Sequence, residues 1–230
     1  MWGYGNKMSL GHRKLNKKDY DLIFKHINWN YTNYCKEWLN GVEKKLNLKR
    51  LQIRDIYTSD VIKSQEIPRE FEKYMCSFMK NLDDLYMDIL YDMESSLYLF
   101  EKVNFIGRIK KQESISEKIH RKIKEEDGTF PVNKYLNDLL GFRIIDHHYK
   151  ENIHIIKELI NSYRDEINIM GKFRENKGYE AYHIYLKYSN NTFPIEIQVW
   201  DKEKEQSNIQ HHKVYKQEYL ENIITSYNQF

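Results

Sequence analysis

Two runs of strict alternation near the end of the chain restrict its fold more than any other feature. Tyr182–Tyr188 and Phe193–Trp200 are separated by Ser189-Asn190-Asn191-Thr192, whose paired asparagines suit a tight hairpin turn. Side chains along a strand alternate between faces, so Phe193, Ile195, Ile197 and Val199 share one face and Glu196 and Gln198 the other. With the turn centred on Asn190-Asn191, Tyr185 is expected opposite Glu196 and His183 opposite Gln198. A carboxylate, an amide, an imidazole and a phenol then meet on one sheet face. Alternation alone reads that face as solvated, and the same four groups would equally make a polar site.

The other elements follow from periodicity. Val103, Phe105 and Gly107 alternate with Asn104, Ile106 and Arg108, a strand that ends on basic residues, and Leu139–Ile145 reads as a short buried strand. Ser114-Ile115-Ser116-Glu117 has the form of a capping box opening a helix to about Glu126, with Gly128 past its end. Ile153, Ile156, Ile160, Tyr163 and Ile167 mark a further helix, and Gln206 to about Tyr227 a closing one. Before residue 100 only helices are expected. Tyr20–Ile27 and Tyr34–Leu46 read as short ones, and an apolar stripe from Phe71 to Leu97 keeps one face for about seven turns. The expectation is an α+β fold. A mixed β-sheet of about five strands flanked by helices fills residues 101–230, and an N-terminal helical extension fills residues 1–100.

Composition removes whole classes. No run of about 18 apolar residues exists, so no membrane helix is expected. The basic N-terminus lacks the apolar stretch of a secretory signal. Two cysteines, Cys35 and Cys76, make no disulfide framework and fit a reducing, cytoplasmic setting. The net charge of +3 hides a cluster: residues 108–124 hold seven Lys/Arg against Glu113 and Glu117. A second basic block is Arg13, Lys14, Lys17 and Lys18, and Asp83–Glu94 is acidic. Such clustering suits a polyphosphate or nucleic-acid partner, or a solvated helix face.

Asp138 stands just before the apolar Leu139-Leu140-Gly141-Phe142, with Arg143 following. A carboxylate at the lip of a buried strand is held rigidly enough to ligate Mg²⁺, which takes one or two carboxylates plus phosphates, although a turn residue would look the same. Five motifs then fall in order. They are Gly107-Arg108-Ile109-Lys110 with Lys118; Asn137-Asp138 through Arg143; Lys177-Gly178-Tyr179 through His183; Ile195-Glu196-Ile197-Gln198; and His212-Lys213-Val214-Tyr215. Together these resemble the synthetase domain of the RelA/SpoT family over roughly residues 100–220, including its small single-domain members.

The resemblance implies a nucleotidyltransferase-like fold and a pyrophosphokinase that moves the β,γ-diphosphate of ATP to a nucleotide 3′-hydroxyl. It implies that Asp138 and Glu196 are catalytic and hold Mg²⁺, with Glu196 also helping to deprotonate the attacking hydroxyl. It gives ATP to Arg108, Lys110, Ser114, Lys118 and Arg143. Tyr179 would stack on the acceptor base from an exposed platform beside Gly178, with His183, Lys177 and Gln198 along the same wall. Lys150 or Arg164 would supply the second contact to adenine. His212 would be structural, and the hydrolase half of the long family members has no room or motif here.

Two acceptors occur in the family: GDP or GTP, and the 3′-terminal adenosine of tRNA in the toxic small members. Alarmone makers usually continue the Glu-Ile-Gln motif with Arg-Thr, where this chain has Val199-Trp200-Asp201. The aromatic-rich stretch before His212 is also missing, while the Tyr-rich run from Tyr179 and the Phe193-Pro194 pair look like the toxic group. Basic blocks outside the motifs, among them Lys122, Lys124 and Arg13–Lys18, would follow a tRNA acceptor stem through its phosphates. tRNA is therefore the favoured acceptor, with an antitoxin protein or autoinhibitory self-association as restraint, and the acidic Asp83–Glu94 face as a candidate to dock over the basic site. An inactive RNA- or partner-binding module is the remaining alternative.

Overall fold

The structure, a computed structural model, describes residues 14–57, 66–96, 104–176 and 178–211. Arg13, Leu97, Val103, Lys177, His212 and the tail beyond residue 211 lie outside the described residues. The first half is helical: α1 (Lys17–Gly41), α2 (Ile53–Ile56), α3 (Glu66–Met79) and α4 (Leu82–Ser95). Then come β1 (Asn104–Ile109), α5 (Gln112–Glu126), α6 (Val132–Tyr135), β2 (Leu140–Asp146) and α7 (Tyr149–Ser162). The chain ends with β3 (Ile169–Asn176), β4 (Tyr179–Leu186), β5 (Ile195–Asp201) and a helical stretch over 205–211. No helix among the described residues is long and apolar enough to cross a membrane.

The strands form one mixed sheet in the order β1-β2-β5-β4-β3, with β2 and β5 parallel and the other pairs antiparallel. Tyr185 pairs with Glu196 and His183 with Gln198 as expected, but the hairpin is not tight: the ladder ends at Leu186–Ile195, and residues 187–194 form the connection around a turn at Asn190-Asn191. Register then sorts the sheet into two faces. One carries Phe142, Ile144, Ile184, Ile195, Ile197 and Val199, all buried in the core with α1, α3, α4 and α7. The other carries Arg108, Arg143, Gln198, Glu196, His183 and Tyr185. Edge strand β3 is the one the alternation pattern did not locate. Gly171 interrupts its apolar positions, and most of its residues are exposed.

Three helical expectations change. The two short helices expected over 20–46 are one helix, α1. No Gly or Pro breaks it before Gly41, and Tyr20, Ile23, Phe24, Ile27, Tyr31 and Cys35 form one buried stripe. Asn16 caps it, its side chain accepting from the backbone N–H of Lys18 and Asp19. The seven-turn helix is instead two, α3 and α4, parted at Lys80-Asn81. Asn is a poor helix former, and the break leaves the apolar phase intact, so the stripe could not reveal it. Ser114 opens no capping box: α5 starts two residues earlier with Lys111 at its N-cap. Its other end is as expected, with Asp127 and Gly128 at positive φ.

The N-terminal helices complete the sheet's own core. The hairpin turn is gripped by them: Tyr74 OH donates to Asn191 O at 2.6 Å, Tyr31 OH to Phe193 O at 2.8 Å, and Leu48 N to Asn190 O at 2.8 Å. Phe193 packs against the rings of Phe71, Tyr74 and Phe78. The acidic α4 belongs to this layer, with Asp92 accepting from Asn30 of α1 and Gly107 of β1 against Tyr86. It therefore does not cover the basic surface on the far side of the sheet.

Candidate active site

An open cleft of roughly 700 Å³ lies between the polar face of the sheet and α5. Its walls carry eight Lys/Arg and three carboxylates, Glu117, Asp138 and Glu196. A cavity of this size admits a nucleotide, and its surplus positive charge selects an anionic one. The polar sheet face, which alternation read as solvated, is buried: Glu196, Gln198 and His183 are all less than a tenth exposed.

Asp138 is fixed by its neighbours before any ligand arrives. The backbone N–H of Lys110 donates to Leu139 O at 2.8 Å, pinning the loop before β2 to the end of β1. Lys110 Nζ then reaches Asp138 Oδ2 at 2.5 Å and Lys118 Nζ reaches Oδ1 at 2.8 Å, with Arg108 at 3.9 Å. Burial opposes the carboxylate's charge, but the two ammonium groups override it and hold Asp138 well below the usual carboxylate range. Lys118 is pulled down by burial and by Lys110, with Asp138 working against both. The lysine side chains are only 14% and 16% exposed, so two nearly buried cations share one anion. The surplus faces the cleft.

The second carboxylate sits in a hydrogen-bonded row. Glu196 Oε1 is 2.7 Å from His183 Nδ1 and accepts from Tyr185 OH at 3.0 Å, and Gln198 Nε2 donates to Oε2 at 2.8 Å. Tyr179 OH lies 2.7 Å from His183 Nε2. The row is satisfied when Tyr179 donates to His183 and His183 donates to Glu196. Burial works against the charge of Glu196, and the bond with His183 outweighs it, leaving the carboxyl below its ordinary value. Tyr179 is not the exposed platform expected. It is 7% exposed and meets Trp200 and His183 edge-on, and burial raises its phenol to about 12. Gly178, at φ +90°, supplies the turn that delivers it.

The remaining expected residues divide. Ser114 and Lys122 line the cleft, Lys122 lying over the rings of Phe130 and Tyr135 with its ammonium on Glu126. Lys124 is exposed and outside the cleft lining. The Arg143 guanidinium lies over Trp200, its Cζ 3.4 Å from the ring centre, and is not part of the cleft lining. Burial and Arg108 pull it down to about 10. Lys14 and Lys17 pair with Glu151 and Glu158 of α7, in the helical layer across the sheet from the cleft. Lys150 pairs with Glu203, and neither it nor Arg164 reaches the cleft. Sequence reasoning missed Arg174 and Asn176 of β3, and Phe130 and Tyr135 between α5 and β2. Only the Met170-Lys172-Arg174 alternation was there to find the first pair.

No group of three or more His, Cys, Asp or Glu among the described residues is set to hold a metal ion. Asp138 and Glu196 nonetheless border one cleft. Two hard carboxylates are what Mg²⁺ needs when phosphates complete its shell, so the donor set fits.

Comparison with known proteins adds the following. Residues 107–219 match the family described as "Region found in RelA / SpoT proteins". Solved structures that the chain matches include small alarmone synthetase 1 from Bacillus subtilis bound to its product pppGpp. It is 22% identical with a TM-score of 0.44 over 64% of this chain and 82% of that one. A GTP pyrophosphokinase family protein from Streptococcus pneumoniae is 19% identical, TM-score 0.41, covering 67% and 79%. No curated protein sequence matches the chain.

Proposed function

We propose, from the premise that residues 107–219 belong to the RelA/SpoT family and make this chain a pyrophosphokinase, that its acceptor is the 3′-terminal adenosine of tRNA. The observation that carries the phosphate chemistry is the pair of nearly buried ammonium groups, Lys110 and Lys118, sharing Asp138. Diphosphate transfer asks a protein mainly for positioning and charge neutralisation. Arg108, Lys110, Ser114 and Lys118 hold the donor's phosphates, and Arg143 adds positive charge from beside Gln198. Asp138, with Glu196 of the same cleft, would hold Mg²⁺, which supplies further neutralisation of phosphate oxygens when bound. Glu196, oriented by His183 and Tyr185, takes the proton of the attacking hydroxyl. Tyr179, His183 and Gln198 form the acceptor wall; Lys177, assigned to it from the sequence, lies outside the described residues.

An RNA acceptor is supported by the open form of the cleft and by cations that continue past the reacting centre through Arg121, Lys122 and Lys134. Such an enzyme would block aminoacylation, and a partner covering this basic cleft would restrain it. One observation favours the second reading, synthesis of (p)ppGpp from GDP or GTP. Lys14 and Lys17 are ion-paired on the far side of the sheet and cannot follow an acceptor stem bound in the cleft. Incubation with γ-labelled ATP, Mg²⁺ and either tRNA or GDP/GTP decides between them. Label on tRNA alone is the expected result, and label on the guanine nucleotide alone overturns the tRNA reading.

A further inference from the structure

Strand β3 is an edge strand, and its row on the polar face includes Lys172, paired with His183, and Arg174, paired with Ala181. Alternate residues of a strand stand about 6.8 Å apart, so two cations file along the rim of the sheet. The acid of this strand, Glu175, points to the opposite face. An edge lysine by itself is often a guard against strand pairing. Arg174 is more than that. Its Nη2 donates to Tyr185 OH at 2.7 Å, and that phenol donates to Glu196, so the guanidinium is built into the cleft wall. Among the described residues, Arg174 is the one Lys/Arg of the cleft that comes from the β3 side; the others come from the β1 end, α5 and α6.

A nucleoside di- or triphosphate carries its charge in one cluster, whereas a polynucleotide carries one charge per residue in file. One cation in the cleft followed by another along the same edge matches the second pattern. We propose that Lys172 and Arg174 form a phosphate rail on β3 for the single-stranded 3′ end of an RNA acceptor. The rail rests on the tRNA reading above and names how the strand leading to the reacting hydroxyl is held.

The test is fluorescence anisotropy with a mononucleotide, a CCA trinucleotide and a longer single-stranded RNA ending in CCA, titrated against salt. Wild-type affinity is expected to rise with length. In the Lys172→Gln/Arg174→Gln double variant that rise is lost, and the slope of log affinity against log salt flattens by about 1.4, from about 0.7 per phosphate contact. Lys172→Arg with Arg174→Lys keeps the slope. Melting temperatures show that each variant is folded. An unchanged slope overturns the rail, as does failure of the wild type to bind the longer strand. Equal loss for mononucleotide and long strand also overturns it, placing the effect of Arg174 at Tyr185 instead. Diphosphate transfer is measured on the same preparations. Wild-type transfer to tRNA with an unchanged variant slope sinks the rail alone, and transfer to GDP/GTP alone sinks the acceptor reading.

Discussion

At the scale of single residues, Asp138 and Glu196 are held in the cleft by opposite means, and their substitutions should fail differently. Asp138 neutralises two cations, so Asp138→Asn leaves Lys110 and Lys118 facing each other with no anion. Breaking such a pair costs about 3–5 kcal/mol. The variant should lose transfer and also melt earlier, and tripolyphosphate should raise its melting temperature more than that of the wild type by replacing the missing charge. A melting temperature unmoved by tripolyphosphate would show that charge is not the cause. Glu196 is held by hydrogen bonds, and in Glu196→Gln the single amide oxygen can keep those from His183 and Tyr185 while the amide nitrogen then meets the donor Gln198 Nε2, so the change should cost about 1–3 kcal/mol of stability. Its transfer rate should nonetheless fall by about 10²- to 10⁴-fold in a γ-labelled ATP assay. The residues of this site were legible in the sequence because alternation and motif order fix which groups share a face. What was not legible was where long side chains end. Arg143 stacking on Trp200 is decided by a residue distant in sequence, and Tyr179 bonding to His183, four residues on, by the course of two side chains along one strand face.

At the scale of elements, the joint between α4 and β1 is set by a missing side chain. A Cβ on Gly107 would lie 2.2 Å from the ring of Tyr86, so the helix can approach the strand only because that position is glycine. Gly107→Ala should therefore destabilise the fold by about 1–3 kcal/mol, the usual cost of overpacking. The ring is the cause, so Tyr86→Leu should recover part of the loss in the double variant, as read from denaturant midpoints. Additive losses would refute the contact. The strands and the hairpin register could be read from period-two alternation because each strand has one apolar face. Helix boundaries could not. The α3–α4 break at Lys80-Asn81 preserves the apolar stripe, and α1 runs through the polar Asn28-Trp29-Asn30 with its buried stripe uninterrupted. Strand β3 escaped because an exposed edge strand has no face that must be apolar.

At the scale of the whole molecule, phenols stitch the helical layer to the sheet. Tyr20 OH donates to Asp146 at 2.6 Å, Tyr31 OH to Phe193 O and Tyr74 OH to Asn191 O, all from helices onto the sheet or its hairpin, while Tyr185 OH donates to Glu196 within the sheet. Burial is the first cause raising each of them, and Tyr74 reaches about 12. A phenol in the unfolded chain ionises near pH 10. Between about pH 10 and 12 the folded protein thus binds more protons than the unfolded one, so stability falls as pH rises through that window and is fully present below it. Denaturation midpoints should be insensitive to these groups up to about pH 9 and then drop steeply. Tyrosinate absorbance should grow together with the loss of near-ultraviolet circular dichroism, because each stitched phenol must leave its acceptor to ionise. Tyr20→Phe separates this from general alkaline damage. It removes one donor from buried Asp146 and so weakens the protein at neutral pH, yet it also removes one raised phenol and should make the alkaline decline shallower. Should all nineteen tyrosines titrate near pH 10 with the dichroism intact, the phenols are not what ties the two layers together.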